Sequence, residues 1–539
     1  MECKDIVARF DALFNERQGS VDSIWDLVER FVMPLRGEFY TGLTSEGEVD
    51  WHRREIFDST AVFAAQSLSA AMQSNLTNPS QRWFDLRFRN SDLNTETEVK
   101  DWLETSTDLM YQALEDSNFS VEISEAYTDL VGYGTAVVTE EVDDKGELVF
   151  STNPLRDVVF EQDHRKDVYA LYRRLRWTPV QILTKFGDET PERIREKAES
   201  PQGGMQTEEI IFCVFPREGK EADPDKPTAP KERPIGYKYV LKNGHEMLGE
   251  EGGYYEMPSF VARWRTVAGS KWGKSPAIDA MSDILTVNQL KEAVLEAAGK
   301  VIDPPMKVED GNVIGDIELE RGGKTVMSDI NGIAPLESGT RFDVSGMEAT
   351  DLREMIRNHF FQNQLELKES PAMTATEVNV RYELMQRLIG PALARLKHDL
   401  LNPMVQRTFN IMYREGLLPP LPEGLEGSRL NIEYTGPLAR AQKSGTADAI
   451  MRWLGEGAQL AEAYPEAREL PDAEEALRIV AELRGVPIDA VRSEQELAQI
   501  RQKRMEQQQQ AQQAAMMNQG AETLERAGKG VQALSAVND

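Results

Sequence analysis

The stretch RTVAGSKWGKSPAID, residues 265–279, decides how the chain is read, because it fits two incompatible structures. Ala268, then four residues, then Gly273-Lys274-Ser275 satisfies the permissive form of a phosphate-binding loop. A strand-like VARWR precedes it and a helical pattern follows, as that loop requires. There, backbone N–H groups wrap the phosphates, the lysine reaches them, and the serine hydroxyl holds Mg²⁺. Several features oppose this structure. Ala268 replaces the first glycine of the strict motif, and Trp272 puts a bulky ring where backbone must approach a phosphate. Pro276 removes an N–H donor at the helix start. No run of four apolar residues ending in Asp or Glu follows to support the metal. The flanks also lack the βαβ alternation of a nucleotide-binding sheet. The alternative is a structural joint, a loop entering a long helix with Pro276 in its first turn, where proline is tolerated.

Working outward, SPAIDAMSDILTVNQLKEAVLEAAGK places Ile278, Met281, Leu285 and Val294 on one helical stripe, and Asp303-Pro304-Pro305 stops it. Residues 306–345 alternate short β-like runs with DGN, RGG and NGI turns, a small β-rich insertion. GMEATDLREMIRNHFFQNQLEL then reads as a returning helix. After the short loop KESPAM, Thr374 and Glu377 form a capping box that starts another helix. Its apolar positions run through Val378, Tyr382, Met385, Ile389, Leu393, Leu396 and Leu400 toward Tyr413. Pro391 and Pro403 are expected to kink or divide it.

Upstream, residues 1–35, 58–75, 95–116 and 120–131 read as helical, with Asp58 or Ser59 capping the second. From about 135 to 265 the pattern turns strand-like: TAVVTEEV, ELVFSTN, DVVFEQD, VYALYRRLRW, EEIIFCVFP, PIGYKYVLK and SFVARWR. The turns DDKG and KNG suggest antiparallel hairpins. Beyond PPLPEGLEG the chain is acidic and helical to about 505, and 506–539 is rich in Gln, Ala and Met. The fold class is therefore α+β and mainly helical.

At 539 residues, two to four folding units are expected. No apolar run approaches the roughly 20 residues of a membrane span, and the first 20 residues do not read as a secretory signal. Cys3 and Cys213 argue against a disulfide framework. Five scattered histidines, with no HExxH or CxxC spacing, argue against zinc. No catalytic, cofactor or metal site is expected. The pairs Glu140-Glu141 and Asp143-Asp144 read as solvated turns, His359 as a packing residue beside Phe360-Phe361, and Trp83-Phe84 as core or subunit contact. A net charge of −30 disfavours tight, sequence-independent DNA binding.

The order of these parts, with IFDSTAVFAAQSLSAAMQSNLTNPSQRWF (56–84), YGTAVV (133–138), WGKSPAIDAMSDILTVNQL (272–290) and MTATEV (373–378), resembles the portal, or head-to-tail connector, proteins of short-tailed bacteriophages. The resemblance covers roughly 1–440. It implies a structural protein of the virion, not an enzyme, forming a ring of twelve at one capsid vertex with double-stranded DNA passing through without sequence specificity. It implies a wing (1–265), a first stem helix (266–301), a clip (302–345) and a second stem helix (346–366). A channel loop (367–374), a long kinked wing helix (375–416), a crown (417–505) and a C-terminal helix, barrel or tail (506–539) would follow. Lys368, Glu369, Ser370, Met373 and Thr374 would then lie at the DNA channel, with Lys291, Arg353 and Arg357 as sparse basic positions on the stems. The implied partners are the major capsid protein and scaffold, the large terminase and tail adaptor proteins, after assembly in the host bacterial cytoplasm. The competing readings are an ATPase or DNA-packaging motor component using Lys274 and Ser275, or another virion structural protein.

Overall fold

A computed structural model of the chain describes residues 1–34, 36, 56–90, 93–94, 96–143, 145–220, 228–308, 333–335, 342–362, 389–422, 425, 430–435, 437–464, 472–483, 486, 492, 497 and 500–507. The chain divides into two compact units: 1–85, 106–420 and 436–438, and 86–105, 421–435 and 439–539.

The first unit opens with helices α1 (Cys3–Ser20) and α2 (Asp22–Phe31), which split the helical run at Val21. Helix α3 (Thr60–Leu76) starts where the Asp58 carboxylate accepts the Thr60 N–H at 3.0 Å. Strand β1 (Phe84–Phe88) and helix α4 (Thr97–Asp116) come next, with Trp83 and Phe84 buried as core. Helix α5 (Phe119–Gly132) packs on α3, and small side chains make the approach close. The hydroxyls of Ser69 and Thr128 meet at 3.0 Å, and Gln73 donates to the Ser120 carbonyl.

The expected strands appear as β2 (Thr135–Val142), β3 (Leu148–Thr152), β4 (Val158–Gln162), β5 (Val168–Trp177), β6 (Glu208–Pro216), β7 (Ile235–Leu241) and β9 (Ser259–Arg263). Strand β8 (Met247–Tyr254), which carries three glycines, is an addition to them, as are helices α6 (Pro179–Phe186) and α7 (Glu192–Glu199). The strands build two antiparallel sheets, in the orders β3-β2-β9 and β4-β5-β6-β7-β8. One face of the five-stranded sheet buries Tyr172, Ile211, Cys213 and Val240 against Ile6 and Phe10 of α1. The other closes over Ile210, Leu241 and Leu248 with Ile182 of α6 and Ile194 of α7.

After β9 come helix α8 (Pro276–Ile302), the antiparallel pair β10 (Met306–Val308) and β11 (Ile333–Pro335), and helix α9 (Phe342–His359). The returning helix thus ends earlier than its sequence pattern suggests, at a turn where Phe361 takes a positive φ of 58°. His359 is exposed rather than packed, with Nε2 3.4 Å from Asp283 Oδ2. The expected division falls just before Pro403. A π turn at Lys397–Leu401 precedes it, so proline falls in the first turn of α10 (Asn402–Arg414), where its missing N–H costs little. Pro391 lies within helical residues 389–396. The extra residue of the wide turn rotates that segment by about 100° relative to α10. Ile389, Leu393 and Leu396 are buried, as are Met404, Thr408 and Ile411 of α10.

Helix α10 also corrects the reading of Glu140, which is fully buried on β2 rather than in a solvated turn. The Thr408 hydroxyl donates to Glu140 Oε1 at 2.7 Å, and Arg407 Nε stands 3.8 Å from Oε2. Glu256 gathers the rest: Asn410 donates to it at 3.1 Å, and Arg414 binds both its oxygens at 2.6 and 2.9 Å. Asp399, in the π turn, pairs with Arg263 of β9 at 3.1 Å.

In the second unit, Arg87 pairs with Glu433 of β12 (Leu430–Tyr434), and Phe88 stacks on Trp102 at 6.0 Å. Helices α11 (Pro437–Ala463) and α12 (Ala473–Leu483) follow.

Burial pushes the Glu140 carboxyl up to about 7, outweighing the opposite pull of Arg407 and Thr408. A carboxyl raised by folding stabilises fully below its unfolded value of 4.5, and that contribution is lost as pH rises through about 7. Glu140→Gln keeps an acceptor for Thr408 and has no proton to lose. Relative to the native chain, it is expected to flatten the fall in melting temperature between about pH 5 and about pH 8, read by calorimetry.

Candidate functional site

The stretch 265–279 is a joint between the end of α5, the two sheets and the start of α8. Gly134 follows α5 with φ +81°, a conformation that favours glycine. Its carbonyl accepts the Trp264 N–H at 2.9 Å. Gly273 crosses directly over it: a Cβ built on Gly273 would lie 1.9 Å from the Gly134 oxygen. A Cβ on Gly134 would lie 2.7 Å from the Ser275 nitrogen. Neither glycine can carry a side chain without moving a backbone.

Hydrogen bonds lock the crossing. Gly273 N–H donates to Thr135 Oγ1 at 2.9 Å, and Lys274 N–H donates to the Arg265 carbonyl at 2.8 Å. The fully buried Ser275 hydroxyl donates to the Gly132 carbonyl at 2.6 Å and accepts the Ile278 N–H at 3.1 Å, capping α8. Trp272 is a plug, with its ring centroid 4.6 Å from Phe160 and 5.1 Å from Trp25. Trp25 in turn donates to the Tyr133 carbonyl at 3.0 Å. Each element that resembled a phosphate loop is thus occupied. The serine hydroxyl is spent within the joint, the glycine admits another backbone, and the preceding strand belongs to an antiparallel sheet. Among the described residues no group of three or more His, Cys, Asp or Glu is placed to hold a metal. No described helix is long and apolar enough to cross a membrane.

From this joint α8 rises with α9 packed beside it. Its 27 residues would extend about 40 Å, yet its buried residues all lie between Pro276 and Asn288. Asn288 Oδ1 accepts the N–H groups of Phe57 and Asp58 at 2.8 and 3.1 Å. Asp58 also pairs with Arg353 of α9 at 2.7 Å, so its carboxylate ties the start of α3 to α9 while its backbone N–H ties the same point to α8. Beyond that anchor the helices are less covered: Leu295, Val301, Ile302 and Met347 are large apolar side chains about half or more exposed, Ile302 at 84% and Met347 at 72%, and Met355, level with the anchor on α9, is 51% exposed.

Of the residues expected to face DNA, Lys291 is half-buried on α8 and Arg357 exposed on α9. Arg353 is directed to Asp58. Lys368, Glu369, Ser370, Met373 and Thr374, and the capping box with Glu377, lie outside the described residues. Sequence reading missed the roles of Gly134, Asn288 and Glu140. The signal for the first was present, since the glycines of YGT and WGK both stand beside packed aromatic residues.

The family model for "Bacteriophage head to tail connecting protein" matches residues 4–491. The chain is 29% identical to the "Probable portal protein" of Bordetella phage BPP-1 over 543 residues, spanning 98% of this chain and 95% of that protein. It is 28% identical to the "Portal protein" of Salmonella phage epsilon15 over 541 residues, spanning 97% and 95%.

The joint makes opposite demands on adjacent residues. Gly273→Ala is expected to cost at least about 3 kcal/mol, or to prevent folding. Ser275→Ala, which orphans a carbonyl and removes a cap, should cost about 1–3 kcal/mol. The exposed Lys274→Ala should stay within about 0.5 kcal/mol of the native chain. Chemical unfolding of the three variants measures the order.

Proposed function

This chain belongs to the bacteriophage head to tail connecting protein family, and from that premise we propose that it is the portal of a short-tailed phage. Twelve copies close into a ring at one capsid vertex, double-stranded DNA passes through the middle, and the clip docks the terminase and then the tail adaptors. Capsid protein and scaffold meet the ring from outside, and assembly takes place in the host cytoplasm.

The observation that carries this reading is the stem. A helix pair rooted by buried glycines and by Asp58 at one end, and bearing four uncovered apolar side chains further out and Met355 beside the anchor, wastes burial as a lone chain. In a ring, each neighbour covers those side chains at roughly 25 cal/mol per Å² removed from water. Twelve copies at −30 each would carry about −360, which favours a lumen that passes DNA without gripping it. Lys291 and Arg357 would then act as sparse weak contacts. The geometry of Ser275 favours this structural role over nucleotide hydrolysis.

Negative-stain imaging of purified protein is expected to show closed rings with a central hole. A double Leu295→Asp, Met355→Asp variant should sediment as smaller species while keeping its helical content. Rings that form equally well in that variant would remove the stem from the interface. Thr374→Ala is expected to leave ring assembly intact and to reduce DNA packaging or retention in particles. Native packaging in that variant would detach 367–374 from the channel.

A further inference from the structure

The face of the five-stranded sheet opposite α1 carries a feature that neither the joint nor the stem uses. Val158, Arg173, Phe212, Tyr239 and Leu248 stand directly opposite one another across β4 to β8. Opposed residues of antiparallel strands share a face. Aromatic rings crowd this row: Phe212 and Tyr239 are 4.6 Å apart between centroids, and Phe212 and Tyr237 5.8 Å. Lys185 of α6 reaches the same rings, with Nζ 5.2 Å from the Tyr239 centroid and 5.3 Å from that of Trp177.

Arg173, half-buried among them, makes no hydrogen bond and no ion pair within 4 Å among the described residues. Its neighbour Arg174, on the other face, holds Asp157 at 2.7 Å. Burial lowers the Arg173 pKa, and Glu141 is the main charge opposing that. Glu141 is itself engaged by the Tyr254 hydroxyl at 2.8 Å. A planar fork of five N–H donors, held in a partly dry site with no described acceptor within hydrogen-bond distance, suits a carboxylate.

We propose that Arg173, flanked by Phe212, Tyr237, Tyr239 and Lys185, is a docking site for an acidic segment of a partner protein. One carboxylate of the segment pairs with the guanidinium, and its flanking side chains lie on the half-buried rings of Tyr237 and Tyr239, which the buried Phe212 supports from beneath. Charge complementarity selects this occupant locally, since two cations, Arg173 and Lys185, are set among aromatic rings. A nucleic-acid backbone fits poorly, because it needs a line of cations along its phosphates. The site uses no residue of the joint or of the α8–α9 pair.

The test uses the full-length protein and a fluorescein-labelled peptide, Gly-Glu-Glu-Tyr-Glu-Glu-Gly, read by anisotropy at low salt. Saturable binding is expected, with none by the peptide in which Gln replaces Glu. Arg173→Met should weaken binding at least about tenfold, and Lys185→Met by a smaller factor. Arg173→Met should also raise the melting temperature, because it removes an unpaired, partly buried charge that only a ligand satisfies. Equal peptide affinity in Arg173→Met overturns the proposal. So does a fall in its melting temperature, which would make Arg173 a structural residue. Tighter binding of a short DNA duplex that displaces the peptide would assign the site to nucleic acid and overturn it as well.

Discussion

The crossing of two backbones at Gly134 and Gly273 is the constraint on which the first unit depends. There the end of α5, the edge of β2 and the loop before α8 meet with no space for a methyl group. Once those backbones touch, Ser275 can reach the Gly132 carbonyl and Gly273 can reach Thr135. The direction in which α8 leaves is then fixed by three strands of chain rather than by side-chain packing, which tolerates small rotations. Trp272, wedged between Trp25 and Phe160, fills the remaining volume and extends the same restraint to α2 and β4.

A second level of restraint comes from carboxylates that collect distant parts of the chain. Asp58 joins α3 to α9, Asp399 joins the π turn to β9, and Glu140 and Glu256 hold α10 against the sheets. Such pairs contribute little net stability when both partners leave water, but breaking one leaves a buried charge exposed to its full desolvation cost. They therefore act on geometry more than on energy. Each selects one rotation of a helix among several that hydrophobic stripes alone would allow. The π turn works in the same sense. It presents Asp399 to Arg263.

These two levels explain what the sequence could and could not reveal. Period-two alternation and turn residues located the seven principal strands, and helical stripes located α1, α3, α5 and α8 within a few residues, because those signals are local. The order of elements and a few short motifs were enough to identify the family. Helix α6 was missed although Thr178-Pro179-Val180-Gln181 carries a capping box, since it is a brief helix inside a strand-rich run. Strand β8 was missed because its glycines blur the alternation. Glu140 was misread for a deeper reason: its partners are 267 and 268 residues away, and nothing local distinguishes a buried Glu-Glu pair from a solvated one. The same holds for the joint, whose glycines are visible singly but whose crossing is a property of the pair.

The joint and the stem then describe one mechanical logic. A projecting helix pair can present apolar side chains to neighbours in register only if its root does not swing. A few degrees at the base of a helix about 40 Å long displaces its far end by several ångströms, comparable to the spacing between side-chain rows. The root here is held by contacts that fail abruptly, not gradually: glycine against a carbonyl, a buried serine with both its bonds made, and Asp58 shared between α3 and α9. The outer half of α8, by contrast, keeps no buried residue of its own. In the proposed ring, rigidity is concentrated where geometry must be transmitted, and uncovered apolar surface where a neighbour would supply the other side. That division is what a closed assembly of identical chains requires, because errors in angle accumulate around a ring until it fails to close.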